Sequence, residues 1–352
     1  MGATLLTNTD RGLFCEAGDF YIDPWRPVDQ AVITHAHSDH ARWGSRNYLC
    51  AKRGEMLLAA RLGPSARIQA VGFGEVLDRR GVKISLHPAG HILGSAQVRI
   101  EHRGEVWVVS GDYKTESDGI SDAFSPLPCH TLVTESTFGL PIYRWRPQAE
   151  IFEDLNNWWR ENQVKGRTTV LFCYALGKAQ RLLSGLDASI GPIFVHGATA
   201  RFIEAYRAQG IDLPPCEHAV SDAIRAHRGR AIVLAPTSAD NSPWLRKLGD
   251  CMTAFASGWM QIRGTRRRRS LDRGFVLSDH ADWEGLLASI KATGASTIWV
   301  THGYTATMTK WLRENGWQAE ALKTRFEGEI EDEAETMPPD GEASQPPAQA
   351  PA

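Results

Sequence analysis

Short runs of β-branched and aromatic residues alternate along this chain with stretches whose apolar positions recur every three or four residues. That alternation is the pattern of an α/β protein. Strands are predicted at residues 31–34, 82–86, 106–110, 131–134, 275–278 and 297–301, with a further set at 168–173, 192–195 and 231–234. Residues 153–160 read as an amphipathic helix, which assigns the adjacent Trp158 and Trp159 to packing.

The residues just beyond the strands are more informative than the strands themselves. The first strand runs directly into His35-Ala-His37-Ser-Asp39-His40. Others lead to Gly111-Asp112, Glu135-Ser136-Thr137, Asp279-His280 and His302-Gly303, and His91 sits in the glycine-flanked loop Ala89-Gly90-His91-Ile92-Leu93-Gly94. Polar side chains at strand ends converge on one rim of an α/β sheet, where loops hold them around a ligand. Alternation along an extended segment predicts that His35, His37 and Asp39 share one side, with a turn bringing in His40. Imidazoles and carboxylates in this mixture suit zinc, and manganese or iron are tolerated. Four such residues in six can serve two ions, with His91, Asp112 and His302 completing the shells. Paired ions lower the pKa of water, aim it, and neutralise charge on a phosphoryl or acyl transition state.

Composition narrows the setting. Of 352 residues, 42% are hydrophobic and 23% charged, so a sizeable core is expected. No apolar run is long enough for a membrane span, and the N-terminal residues do not read as a signal peptide. Six scattered cysteines with no Cys-x-x-Cys argue against a disulfide scaffold or zinc knuckle, so a soluble cytoplasmic protein is expected. The net charge of −2 is unevenly spread: residues 1–326 carry all 39 basic residues against 33 acidic ones. Residues 327–352, acidic and proline-rich, are expected to be a disordered tail. The basic body permits a polyanionic partner.

The His35-Ala-His37-Ser-Asp39-His40 cluster with His91, Asp112 and His302 resembles the metallo-β-lactamase superfamily. Glu135-Ser136-Thr137-Phe138-Gly139 and Ser278-Asp279-His280-Ala281-Asp282 look like the two extra motifs of its β-CASP nuclease branch, and Tyr174-Ala175-Leu176-Gly177-Lys178-Ala179-Gln180-Arg181 is similar to the helix start opening that branch's inserted cap. Within the branch, Tyr21-Ile22-Asp23-Pro24-Trp25, residues 89–97 and Ala256-Ser257-Gly258-Trp259-Met260 look most like the bacterial ligase-associated DNA exonucleases.

The resemblance covers roughly residues 5–326. It implies an α/β fold, a metallo-β-lactamase αββα sandwich with an inserted β-CASP cap domain. The catalytic domain would take residues 1–141 and 270–326, and the cap 142–269. It further implies that His35, His37 and His91 hold one divalent ion, that Asp39, His40 and His302 hold the other, and that Asp112 bridges them. Zinc is the expected metal, with manganese as the alternative. Asp23 would brace the ligand loop, and His280 would be the general acid, oriented by Glu135; Asp39 and Asp112 also belong to the catalytic set. The implied activity is hydrolysis of single-stranded DNA, from a strand end and in repair, with an ATP-dependent DNA ligase as associated partner and no membrane. One residue points elsewhere: DNA-specific eukaryotic members place valine where this chain has His302, and RNA-cleaving members place histidine. An RNA-processing ribonuclease is therefore the alternative. Hydrolysis of a small thioester or lactone, and a non-catalytic scaffold, rank lower.

Other residues carry weaker signals. The run containing Arg266, Arg267, Arg268 and Arg269 is either a solvated face or a grip on a nucleic-acid backbone. Lys178, at a helix start after the strand at 168–173, is a candidate phosphate contact, although capping alone explains the sequence. Trp244 and Trp259 are candidate stacking residues, and His196 is read as structural.

Overall fold

Three sheets carry the fold in the computed structural model, which describes residues 4–262 and 271–323. The first is built in chain order from β1 (Thr7–Thr9), β2 (Gly12–Cys15), β3 (Phe20–Ile22), β4 (Gln30–Val32), β5 (Asn47–Ala51) and β6 (Ile68–Val71). The second contains β7 (Val76–Arg79), β8 (Val82–Pro88), β9 (Ala96–His102), β10 (Glu105–Val109), β11 (Thr131–Ser136), β18 (Thr297–Gly303) and β19 (Gln318–Ala321), in the order β19-β18-β11-β10-β9-β8-β7. These two sheets face each other across a core that includes Phe20, Val32 and Leu49 from one and Ile84, Val98, Ile100 and Val109 from the other. The period-two alternation of each strand supplies that apolar face.

Helices cover both outer faces. On the first sheet α1 (Glu55–Leu62) sets Leu57 and Leu58 against Ala31, Tyr48 and Cys50. On the second, α7 (Trp283–Thr293) and α8 (Thr305–Glu314) set Leu286, Ile290, Met308 and Leu312 against Val108, Leu132, Ile298 and Val300. Asp282 starts α7 by accepting from Gly285 N at 2.9 Å, and Gly294 ends it in the left-handed conformation, φ +67°. The layers therefore run helix, sheet, sheet, helix.

The third sheet lies in the middle of the chain: β12 (Thr168–Phe172), β13 (Ile193–Val195), β14 (Glu217–His218), β15 (Ile232–Ala235), β16 (Cys251–Ala256) and β17 (Arg273–Phe275), all parallel, ordered β14-β13-β15-β12-β16-β17. Its central strand β12 is buried throughout, as a parallel strand covered on both faces must be. One face packs on α2 (Gln148–Val164), α3 (Lys178–Ser184) and α4 (Gly197–Ala208). The other meets α5 (Ser221–Arg225) and α6 (Pro243–Arg246). In α2 the buried positions Ile151, Leu155, Trp158, Trp159 and Asn162 follow the helical period, and Trp159 Nε1 donates to Arg230 O at 3.0 Å.

Two expectations need correction. The strand expected at 275–278 ends at Phe275, and β17 pairs with β16 in the third sheet, so the chain leaves that sheet later than residue 270. The segment carrying Asp279 and His280 is irregular backbone, free to bend into the site. Residues 327–352 and Arg266–Arg269 lie outside the described residues. Among the described residues no helix is long and apolar enough to cross a membrane.

Candidate metal centre

Beyond β4 the chain winds rather than continuing extended. His40 N and Ala41 N both bond His37 O, at 3.2 and 2.8 Å, so a turn places the ligand residues where strand alternation was expected to. Asp23, at φ +43°, fixes the start of this loop: its carboxylate accepts from Thr34 N at 2.8 Å, from Thr34 Oγ1 at 2.6 Å and from His40 Nδ1 at 2.8 Å. On the neighbouring loop Gly111, at φ +57°, lets Thr34 approach; a Cβ there would stand 2.7 Å from Thr34 Cβ. Asp112 comes immediately after it.

The structure brings all seven expected ligand residues together. One group is His35, His37, His91 and Asp112, and the other is Asp39, His40 and His302. His37 Nδ1 lies 3.1 Å from both His35 Nε2 and His91 Nε2. Asp112 Oδ2 stands between the groups, 3.6 Å from His35 Nε2, 3.8 Å from His91 Nε2 and 3.4 Å from His40 Nε2. His302, at φ +52°, reaches over from the end of β18, where the register with β11 shifts, and its ring stacks on His40 at 5.2 Å.

The outer hydrogen bonds decide which nitrogens face inward. His91 Nδ1 donates to Asp279 O at 2.9 Å and His37 Nε2 to Leu176 O at 3.1 Å. His35 Nδ1 lies 3.0 Å from Thr34 Oγ1, whose own proton goes to Asp23. Each imidazole thus turns a bare lone pair toward the same point. Three lone pairs this close repel unless a cation sits among them. Tetrahedral zinc, with bonds of about 2.0–2.1 Å, would set donors about 3.3 Å apart.

Electrostatics agrees with this fit. Burial, then the neighbouring histidines His40 and His91, drives His35 well below its usual pKa; burial and His280 do the same to His91. Neutral imidazole is the ligating form. Burial opposes charge on His40 too, but Asp112, Asp39 and Asp23 raise it well above the usual value. Asp112 is held well below the carboxylate range by His40 against the burial penalty. Asp112 Oδ1 and His40 Nε2 are buried and make no hydrogen bond, although the latter faces Asp112. The donor set fits divalent cations.

Beside this centre His280 and Glu135 form a buried pair. His280 Nδ1 lies 2.8 and 3.0 Å from the two Glu135 carboxylate oxygens, and Glu135 Oε1 also accepts from Tyr113 N at 2.7 Å. Trp145 Nε1 holds the His280 carbonyl at 2.9 Å, and the His280 ring lies 4.5 Å from that of His91. Lys178 is not brought to an open surface: it is fully buried, with Nζ 3.0 Å from Asp279 Oδ2. His196 caps α4 through Ala198 N. Trp244 packs on His196, and Trp259 packs on Phe138, both half-buried. Sequence reasoning gave Asp279 and Arg181 no role; their ion pair joins distant segments and leaves no local signal.

No family model matches this chain. It is 31% identical over 314 residues to a protein named probable DNA ligase from Opitutus terrae, covering 88% of this chain and 30% of that one. It is 34% identical over 123 residues to the endoribonuclease YSH1 of Eremothecium gossypii, covering 34% of this chain and 16% of the relative. The chain thus spans less than a third of the length of either relative. A crystal structure of a protein of unknown function from Enterococcus faecalis V583 shares the fold, with a TM-score of 0.57 over 85% of this chain and 80% of that one, at 14% identity.

Proposed function

We propose that this chain is a metal-dependent nuclease of the β-CASP branch of the metallo-β-lactamase superfamily. Its favoured substrate is single-stranded DNA, degraded from an end in the course of repair. The observation that carries this reading is the meeting of seven His and Asp ligand residues with a carboxylate-braced histidine. Similarity to a probable DNA ligase over most of the chain supports the DNA substrate, and supports a DNA ligase as the associated activity.

In this reading the two facing sheets and their helices form the catalytic domain, and the third sheet with its helices is the β-CASP cap. His35, His37, His91 and Asp112 would hold one ion; Asp39, His40 and His302, with Asp112 shared, would hold the other. Zinc is favoured by the imidazole-rich set. Two such ions supply an activated water and neutralise phosphoryl charge. The protein supplies the rest. Asp23 and Thr34 hold the ligand loop, and burial keeps His35 and His91 neutral. Glu135 orients the His280 ring through Nδ1, and Nε2 would protonate the departing oxygen. The cap over the site favours a single strand over a duplex.

The second reading is RNA cleavage, favoured by the endoribonuclease similarity and by His302. Matched single-stranded DNA and RNA, labelled at either end and incubated with zinc or manganese beside a His280→Ala control, decide between them. Stepwise shortening of DNA with RNA spared supports the first reading and gives its polarity. Preferential RNA cleavage transfers the chain to the second. Neither cleaved, with a thioester panel hydrolysed instead, overturns both.

A further inference from the structure

Asp279 touches three parts of the molecule at once. Its main-chain carbonyl accepts from His91 Nδ1 at 2.9 Å and so orients a proposed metal ligand. Its carboxylate receives Lys178 Nζ at 3.0 Å and an Arg181 guanidinium nitrogen at 3.1 Å, both from α3. The residue after it is His280. Arg181 also donates to Ser278 O at 2.5 Å and, through Nε, to Gln148 Oε1 at the start of α2.

None of the three charged side chains is more than 4% exposed. The start of α3 is pressed onto the same ligands. Gly177, at φ +84°, would bring a Cβ within 2.2 Å of Ile92 and 3.7 Å of His37 Nε2. Two buried cations of one helix and a buried carboxylate about a hundred residues away are a costly way to join two layers of a protein, because apolar residues of similar volume pack as stably or more so. What apolar residues lack is directionality. A bidentate carboxylate held by two cations fixes the position of its own main chain, and here that main chain accepts the His91 hydrogen bond at Asp279 O and continues directly into His280.

We propose that Asp279 is a positioning residue: gripped by Lys178 and Arg181 of the third-sheet layer, it sets the placement of His91 and His280, so that the seating of that layer and the assembly of the centre are one event. The inference rests on the nuclease reading for its activity arm and stands without it for its metal arm.

The test compares wild type, Asp279→Asn and Lys178→Met/Asp279→Asn. The single variant leaves two buried cations against a neutral amide, and a lower thermal midpoint is expected. The double variant removes one of those cations and should recover most of the midpoint. Metal-free proteins are titrated with Co²⁺ and followed by absorption, and kcat and KM are measured on a single-stranded substrate. Positioning predicts that the double variant, although stable, still binds Co²⁺ about 10-fold more weakly and loses roughly 10- to 100-fold in kcat, with KM changed less than about threefold. Wild-type Co²⁺ affinity, spectrum and kcat in the stable double variant would overturn the proposal and reduce Asp279 to a structural ion pair. If wild type binds Co²⁺ but cleaves no nucleic acid, the nuclease reading fails and the Co²⁺ comparison still decides the role of Asp279.

Discussion

Glu135 and His280 are joined by a 2.8 Å contact between Oε2 and Nδ1, and both side chains are all but inaccessible to solvent. Glu135 comes from the end of β11 and His280 from irregular backbone after the third sheet, so the contact ties together segments that are far apart in the chain. A carboxylate bound to one ring nitrogen fixes the orientation and tautomer of the imidazole.

If His280 delivers a proton to the leaving oxygen, its removal should matter in proportion to how much that oxygen needs one. His280→Ala is expected to slow cleavage of a natural phosphodiester by roughly 10²- to 10⁴-fold. A nitrophenyl phosphodiester, whose leaving group departs unprotonated, should lose far less. Equal losses on the two substrates would remove the acid role.

Asp112 stands between the two ligand groups, within 3.8 Å of His35, His40 and His91. Asp112→Asn should therefore weaken both ions together. Elemental analysis of the purified variant should find less than one ion per chain, whereas Asp39→Asn, which touches one group only, should retain about one. Loss confined to a single ion in Asp112→Asn would contradict the shared position.

His40 gives the site a pH dependence with a definite sign. Its pKa in the metal-free protein is raised well above the usual value by Asp112, Asp39 and Asp23, against burial. A raised histidine contributes stability below its unfolded pKa of about 6.5, and that contribution is lost as pH rises through the higher folded value. Metal-free protein should accordingly lose stability on the alkaline side. Metal must displace the His40 proton, so affinity for zinc should increase with pH across the same range. Calorimetry in buffers of different ionisation enthalpy would count the released proton; binding with no release would exclude a protonated His40.

The third sheet depends on the α2 face that packs against it. Trp159 is fully buried and donates to Arg230 O. Trp159→Ala should cost about 3–5 kcal/mol, read by chemical denaturation. A loss under about 1 kcal/mol would mean that the indole contributes little to this core.

Much of the layout was legible in the sequence because its signals are local. The apolar strands at 82–88, 105–109 and 297–303 each deliver a polar residue at or just beyond the C-terminal end, and a period-two run followed by His or Asp can be read without knowing the fold. Trp158 and Trp159 were legible from the helical period of their segment, and Asp23 through the resemblance of its motif to the family. A turn bringing in His40 was legible, but its start as early as His37 was not, because the hydrogen bonds to His37 O that bend the chain compete with an extended path. The strand ending at Phe275 was extended too far for the same reason: Val276 and Leu277 continue the apolar pattern while their backbone leaves the sheet. Lys178 reads in the sequence as a candidate phosphate contact at a helix start. Only its distant partner Asp279 explains how a lysine there is buried.

The claim on which everything else depends is that these seven residues hold two catalytic ions. The direct measurement is to strip the purified protein with a chelator, restore zinc or manganese stepwise, and track ion content and cleavage of end-labelled single-stranded DNA and RNA together. The account predicts no cleavage after stripping and recovery that saturates at two ions per chain. Cleavage that survives complete removal of metal, or that saturates with fewer than two ions bound, would contradict it.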